Sequence, residues 1–96
     1  MHNDSLAWLM SWYARHCDGD WEHEHGVKIE TLDNPGWSVS IDLVGTDFEA
    51  LEVTQERVNR TENDWFHIRT RDGRLEGHGG PGNLVEILQR FEALLQ

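Results

Sequence analysis

The sequence predicts an α+β domain: an antiparallel sheet of about five strands flanked by an N-terminal and a C-terminal helix. Three observations carry that expectation. Apolar residues recur at helical spacing near both ends, they alternate at every second position from Trp37 to Leu43, and the connections between extended stretches are short. Parallel neighbours need a crossover of a dozen or more residues, so short connections imply antiparallel pairing. The 96 residues suit a single domain, 1–96, with no internal repeat and no dividing linker.

The first element is a helix from Ser5 to Cys17 with Asp4 or Ser5 as its cap. Leu6, Leu9, Met10, Tyr13 and Cys17 share one stripe, and Trp8 and Trp12 widen it into either core or one wall of a binding surface. Asp18-Gly19-Asp20 breaks the helix, with Gly19 suited to a left-handed conformation. Trp21 to Leu32 reads as extended, and Asp33-Asn34-Pro35-Gly36 as a turn in which Gly36 takes a positive φ. Trp37, Val39, Ile41 and Leu43 then alternate with Ser38, Ser40 and Asp42, giving a strand with one buried face.

Phe48 to Asn59 keeps no single period, and a strand is placed across Glu52–Val58. Trp65 to Arg71 is a strand with Phe66 and Ile68 on one face and Trp65 and His67 on the other. Asp72-Gly73 joins it to Arg74–Gly77 as a two-residue type I′ hairpin. Gly77 to Gly82 reads as a flexible loop, and Leu84, Ile87, Leu88, Phe91, Leu94 and Leu95 form an amphipathic helix capped by Asn83. The predicted topology is a meander with both helices on one face, burying the Trp37–Leu43 stripe.

Charge narrows the functional classes. Eighteen acids against eight bases leave a net charge of −10, which argues against direct nucleic-acid binding through a basic surface. No stretch is long and apolar enough to span a membrane. The start, Met-His-Asn-Asp-Ser, lacks the order of a secretory signal, so a cytoplasmic location is expected. The single cysteine, Cys17, excludes an internal disulfide. Residues 1–48 carry −7 and residues 49–96 carry −3, while the window Arg57–Arg74 is locally +2. That window is either a mild basic patch or an array of arginines paired with neighbouring acids on a solvated sheet face.

No catalytic constellation assembles. Asp18-x-Asp20-x-Glu22 resembles the opening of a calcium loop, but His23 stands where glycine is needed and Ile29 where a bidentate glutamate is needed. His23 and His25, with Glu22, His67 or His78, supply the residue types for zinc at an unspecific spacing. Neither a metal site nor a cofactor is expected. Cys17 beside His16 is not a nucleophile–base pair, because adjacent helical residues point apart. The glycine-rich loop lacks the Lys-Ser/Thr pair of a phosphate-binding loop.

Trp8-x-x-x-Trp12-Tyr13, the block Asp18 to Trp37, Glu62-Asn63-Asp64-Trp65 and Gly79-Gly80-Pro81-Gly82-Asn83-Leu84 together resemble the immunity protein 53 family over essentially the whole chain. The block from Asp18 to Trp37 is its specific part. The resemblance implies a bacterial α+β protein that neutralises a secreted polymorphic toxin in the producing cell, and it carries no catalytic residues. The expected partner is thus a toxin domain. Charge adds that the toxin is basic, as nucleases are. The expected contacts are Asp18, Asp20, Glu22 and Glu24, with Trp8, Trp12, Trp21 and Trp37 as anchors. Two other classes stay open: a carbohydrate or small-ligand module that stacks on exposed tryptophans, and a metal-dependent enzyme built on His23 and His25. Oligomeric state stays open as well.

Overall fold

The computed structural model describes residues 4–96; the first three residues of the start read above lie outside them. Its elements are α1 (Ser5–His16), α2 (Trp21–Glu24), β1 (Val27–Leu32), β2 (Gly36–Asp42), β3 (Glu56–Thr61), β4 (Asp64–Arg71), β5 (Arg74–Gly79) and α3 (Leu84–Leu94). The five strands form one sheet in the order β1-β2-β5-β4-β3, and every neighbouring pair is antiparallel. The sheet is therefore not a plain meander. A β1–β2 hairpin and a β3–β4–β5 meander join through β2 and β5, and residues 43–55 carry the chain from β2 to the far edge. No helix among the described residues is long and apolar enough to cross a membrane.

Asp4 caps α1 by accepting the Ala7 N–H at 3.0 Å, and the helix ends one residue short of Cys17. Its buried face differs from the expected stripe. Ser5, Leu9 and Trp12 point inward, whereas Leu6, Met10 and Tyr13 are exposed. The helix is rotated so that the largest apolar side chain is sealed: Trp12 is 0% exposed. Small Ser5, on the same inward face, is buried with it.

The stretch from Trp21 is not extended throughout. It begins with the single turn α2, and only Val27–Leu32 is strand. Two side chains and one indole account for that turn. Asp18 accepts the Asp20 and Trp21 N–H groups, Glu22 accepts those of Asp18 and Gly19, and the Trp21 indole enters the core and donates to the Val44 carbonyl at 2.9 Å. Gly19 adopts φ +97°, as its sequence position suggested.

The β1–β2 hairpin turns at residues 33–35, but Gly36 is not in the left-handed region. It is the first residue of β2, and a Cβ there would collide with the Gly79 carbonyl oxygen of β5. Val39, Ile41 and Leu43 are buried as the alternation predicted. The irregular segment ends in a strand shifted towards the C-terminus of the expected one, at Glu56–Thr61. Asp72 (φ 54°) and Gly73 (φ 75°) form the type I′ turn between β4 and β5.

Strand β5 runs past its expected end at Gly77 to Gly79, so His78 and Gly79 are strand rather than loop. A Cβ on Gly77 would stand 2.6 Å from Ile87 and 3.1 Å from the Phe91 ring, so this glycine lets α3 settle on the sheet. Asn83 is the N-cap residue of α3 as expected, but its side chain makes no capping hydrogen bond. Its buried amide donates to Asp64 and Glu86 and accepts the Trp65 N–H, which ties the helix start to β4. Ile87, Leu88 and Phe91 of α3 meet Leu9, Trp12 and Trp21 on the same side of the sheet. Both helices thus cover one face. The other face is left open.

Candidate functional site

The acidic turn between α1 and β1 contains all four expected contact carboxylates, and the structure divides them by role. Asp18 and Glu22 hold the turn. The Trp21 and Asp20 N–H groups keep the Asp18 carboxyl below its ordinary value. Glu22 is lowered first by its own backbone N–H and then by those of Asp18 and Gly19. Asp20 and Glu24 are exposed and have no side-chain hydrogen bond among the described residues, so their charges are free for a partner.

From this turn a shallow hollow of about 400 Å³ runs onto the open sheet face, lined by Glu22, Glu24, Lys28, Ser40, Glu76 and His78 among others. The strand registers order that face into rows. Glu30, Ser38, His78, His67 and Arg57 lie across all five strands, and Lys28, Ser40, Glu76 and Arg69 lie in the row beside them. Trp65 stands next to His67 with ring centroids 5.0 Å apart. A second hollow, of about 330 Å³, includes Trp65, His67, Arg69 and His78. Burial, then the charges of Arg57 and His78, push the His67 imidazole below its ordinary value.

The arginine window is largely the paired array that the sequence allowed. Arg60 meets Asp64 at 2.8 Å, Arg69 meets Glu76 at 3.1 Å, Arg71 meets Asp72 at 3.5 Å and Arg74 meets Asp42 at 2.8 Å. Arg57 has no carboxylate partner among the described residues and donates to the Gln55 side chain at 3.0 Å.

The tryptophans are distributed differently from the expectation. Trp12 (0% exposed) and Trp21 (6%) are core residues, so neither is a surface anchor. Trp8 and Trp37 are half-buried and packed against the core, and the Trp37 indole donates to the Pro81 carbonyl at 2.9 Å. Trp65, absent from the expected contacts, is the tryptophan on the open face. Its position was readable from the alternation that sets it opposite Phe66 and Ile68.

His16, His25 and the cysteine have local partners. His25 Nδ1 lies 3.6 Å from Asp42, and His16 Nδ1 lies 2.7 Å from the Trp12 carbonyl oxygen. Cys17 donates its thiol to the Tyr13 carbonyl at 3.2 Å. Among the described residues no three His, Cys, Asp or Glu side chains gather in a geometry that would hold a metal ion. What the open face and the acidic turn offer together is a broad polar surface that includes one half-buried indole, Trp65.

Residues 6–96 match the family model described as Immunity protein 53. No curated protein and no solved structure matches the chain.

Proposed function

The chain belongs to the immunity protein 53 family, and from that premise we propose that it binds and neutralises a cognate secreted bacterial toxin in the producing cell. The match over nearly the whole chain carries this reading, because it covers both the sheet and the acidic turn. The protein acts as a stoichiometric inhibitor and performs no chemistry on the toxin.

The surface chemistry suits that task. An inhibitor of an endogenous toxin must associate quickly and release slowly. The free carboxylates of Asp20 and Glu24, with Asp18 and Glu22 beside them, attract a basic toxin and raise the encounter rate. Trp65 on the open face then supplies the kind of amphipathic anchor that slows dissociation. Trp8 and Trp37 add their exposed edges at the margins. A nuclease fits the charge, since enzymes that hold phosphates present basic clefts.

Binding of the purified protein to the product of the neighbouring toxin gene tests the reading, and absence of a complex would refute it. Asp20→Lys with Glu24→Lys should slow association about tenfold at low salt and flatten its salt dependence. These two positions are preferable to Asp18 and Glu22, whose loss would also unfold the turn. Trp65→Ala should mainly accelerate dissociation.

A further inference from the structure

The two edges of the sheet are treated differently by the chain. On the outer edge at β3, the register shifts between Asn59 and Thr61, and Glu56 faces the helices to meet Arg90 at 2.8 Å. A bulge and an inward charge are the devices that keep an edge from pairing with another strand. Strand β1 has neither. It runs six residues in unbroken register with β2, contains no proline, and places Val27, Ile29 and Thr31 on the helix side.

The free edge of β1 also has its backbone groups ready. Asp42 N–H donates to the Gly26 carbonyl at 3.0 Å, which fixes the alternation along the ladder. Lys28, Glu30 and Leu32 therefore face β2 with their backbone groups, while those of Val27, Ile29 and Thr31 point away from the sheet. Next to this edge lies an apolar stripe that the fold leaves uncovered. Leu6, Met10 and Tyr13 of α1 are 55%, 67% and 39% exposed, and Ile29 is 37% exposed. Met10 and Tyr13 line a shallow cavity together with Leu9, Gly26 and Val27, so these two side chains stand beside the start of β1.

We propose that β1 pairs with β1 of a second copy of this chain, antiparallel and centred on Ile29, to form a continuous ten-stranded sheet. The charges of the strand select this occupant. Around Ile29 the sequence reads Val-Lys-Ile-Glu-Thr, so the two-fold pairing sets each Lys28 opposite the partner copy's glutamate at position 30. Neither Lys28 nor Glu30 forms a salt bridge within the described chain. These two charge pairs fall at the non-hydrogen-bonded positions, where facing side chains approach most closely. Val27, Ile29 and Thr31 exchange the backbone hydrogen bonds. The two-fold axis is normal to the sheet, so both α1 helices lie on the same side. The exposed Met10 and Tyr13 of each copy then flank the seam on that side.

Sedimentation equilibrium of the full chain over a wide concentration range tests the pairing. The mass is expected to rise from one chain to two. Lys28→Glu and Glu30→Lys should each weaken association about tenfold, because each creates two facing pairs of like charge. Mixing those two variants should restore the dimer, since every facing pair is then of opposite sign. The double exchange in one chain should restore it too. A wild-type chain that keeps the mass of one copy at every concentration overturns the proposal, and so does a mixture that fails to associate. If Lys28→Glu and Glu30→Lys change toxin affinity while the chain stays monomeric, the edge belongs to the toxin interface and the self-pairing is refuted.

Discussion

On the helix-covered face of the sheet, Val39, Ile41, Ile68 and Leu75 are sealed, and Gly77 brings α3 into direct contact with β5. On the opposite face of the same strands, Ser40, His67, Arg69, Glu76 and His78 remain accessible and interact laterally. The covered face takes up Trp12 and Trp21 completely, and Trp8 and Trp37 in part; the open face keeps Trp65. An aromatic count therefore does not locate a binding surface in so small a domain. What decides is the side of the sheet from which each indole projects, because α1 and α3, the two long helices among the described residues, both lie on one face.

If that division is right, Trp12→Ala should cause the largest loss of stability among the following changes. Truncating a fully buried indole removes its transfer free energy and leaves a cavity, at a cost of about 3–5 kcal/mol, read from the urea midpoint. Gly77→Ala comes next. The added methyl meets the Ile87 branch and the Phe91 ring on the covered face, and overpacking of this kind costs about 1–3 kcal/mol. A free energy of unfolding unchanged by Gly77→Ala would mean that α3 does not sit as tightly as described.

Acid should affect the two regions in sequence. His67 on the open face is held below its ordinary value, so the unfolded chain binds the proton more readily. Its contribution to stability is present above about pH 6.5, the unfolded value, and is lost as pH falls through its lower folded value. Arg57→Gln should move the imidazole titration, followed by NMR, part of the way back up, because desolvation remains the first cause. Asp64, bonded to Arg60 and Asn83 at the junction of β4 and α3, is held down to about 2. Its contribution is present above the ordinary carboxylate range and disappears as pH falls from about 4 towards 2. Asp64→Asn should remove that lower part of the pH dependence.

The smallest effect on stability is expected from Trp65→Ala, about 1 kcal/mol for a half-buried indole, although toxin dissociation should accelerate. A loss comparable to that of Trp12→Ala would erase the distinction between the faces.

Much of this arrangement is legible in the sequence. Asp72-Gly73 demands a type I′ turn, and a two-residue loop sets the register of the whole β4–β5 pair, including His67 opposite His78. Alternation places Phe66 and Ile68 on one side and Trp65 and His67 on the other. The Phe48–Asn59 segment was less legible because its path is held by distant groups, such as the pairing of Val53 with Thr70. The α1 stripe misled because two overlapping apolar arcs exist on that helix. Helical spacing alone does not choose between Leu6–Met10–Tyr13 and Ser5–Leu9–Trp12.

By itself, then, the sequence determined the α+β class, antiparallel pairing, most turns and the family, because these rest on local backbone preferences and on short-range spacing. Only the tertiary structure decided that β2 pairs with β5, that Gly36 serves close approach rather than chain reversal, that Gly77 seats α3, and which tryptophans are sealed. Those outcomes depend on residues far apart in the chain competing for one limited interior. No local pattern records which of them wins.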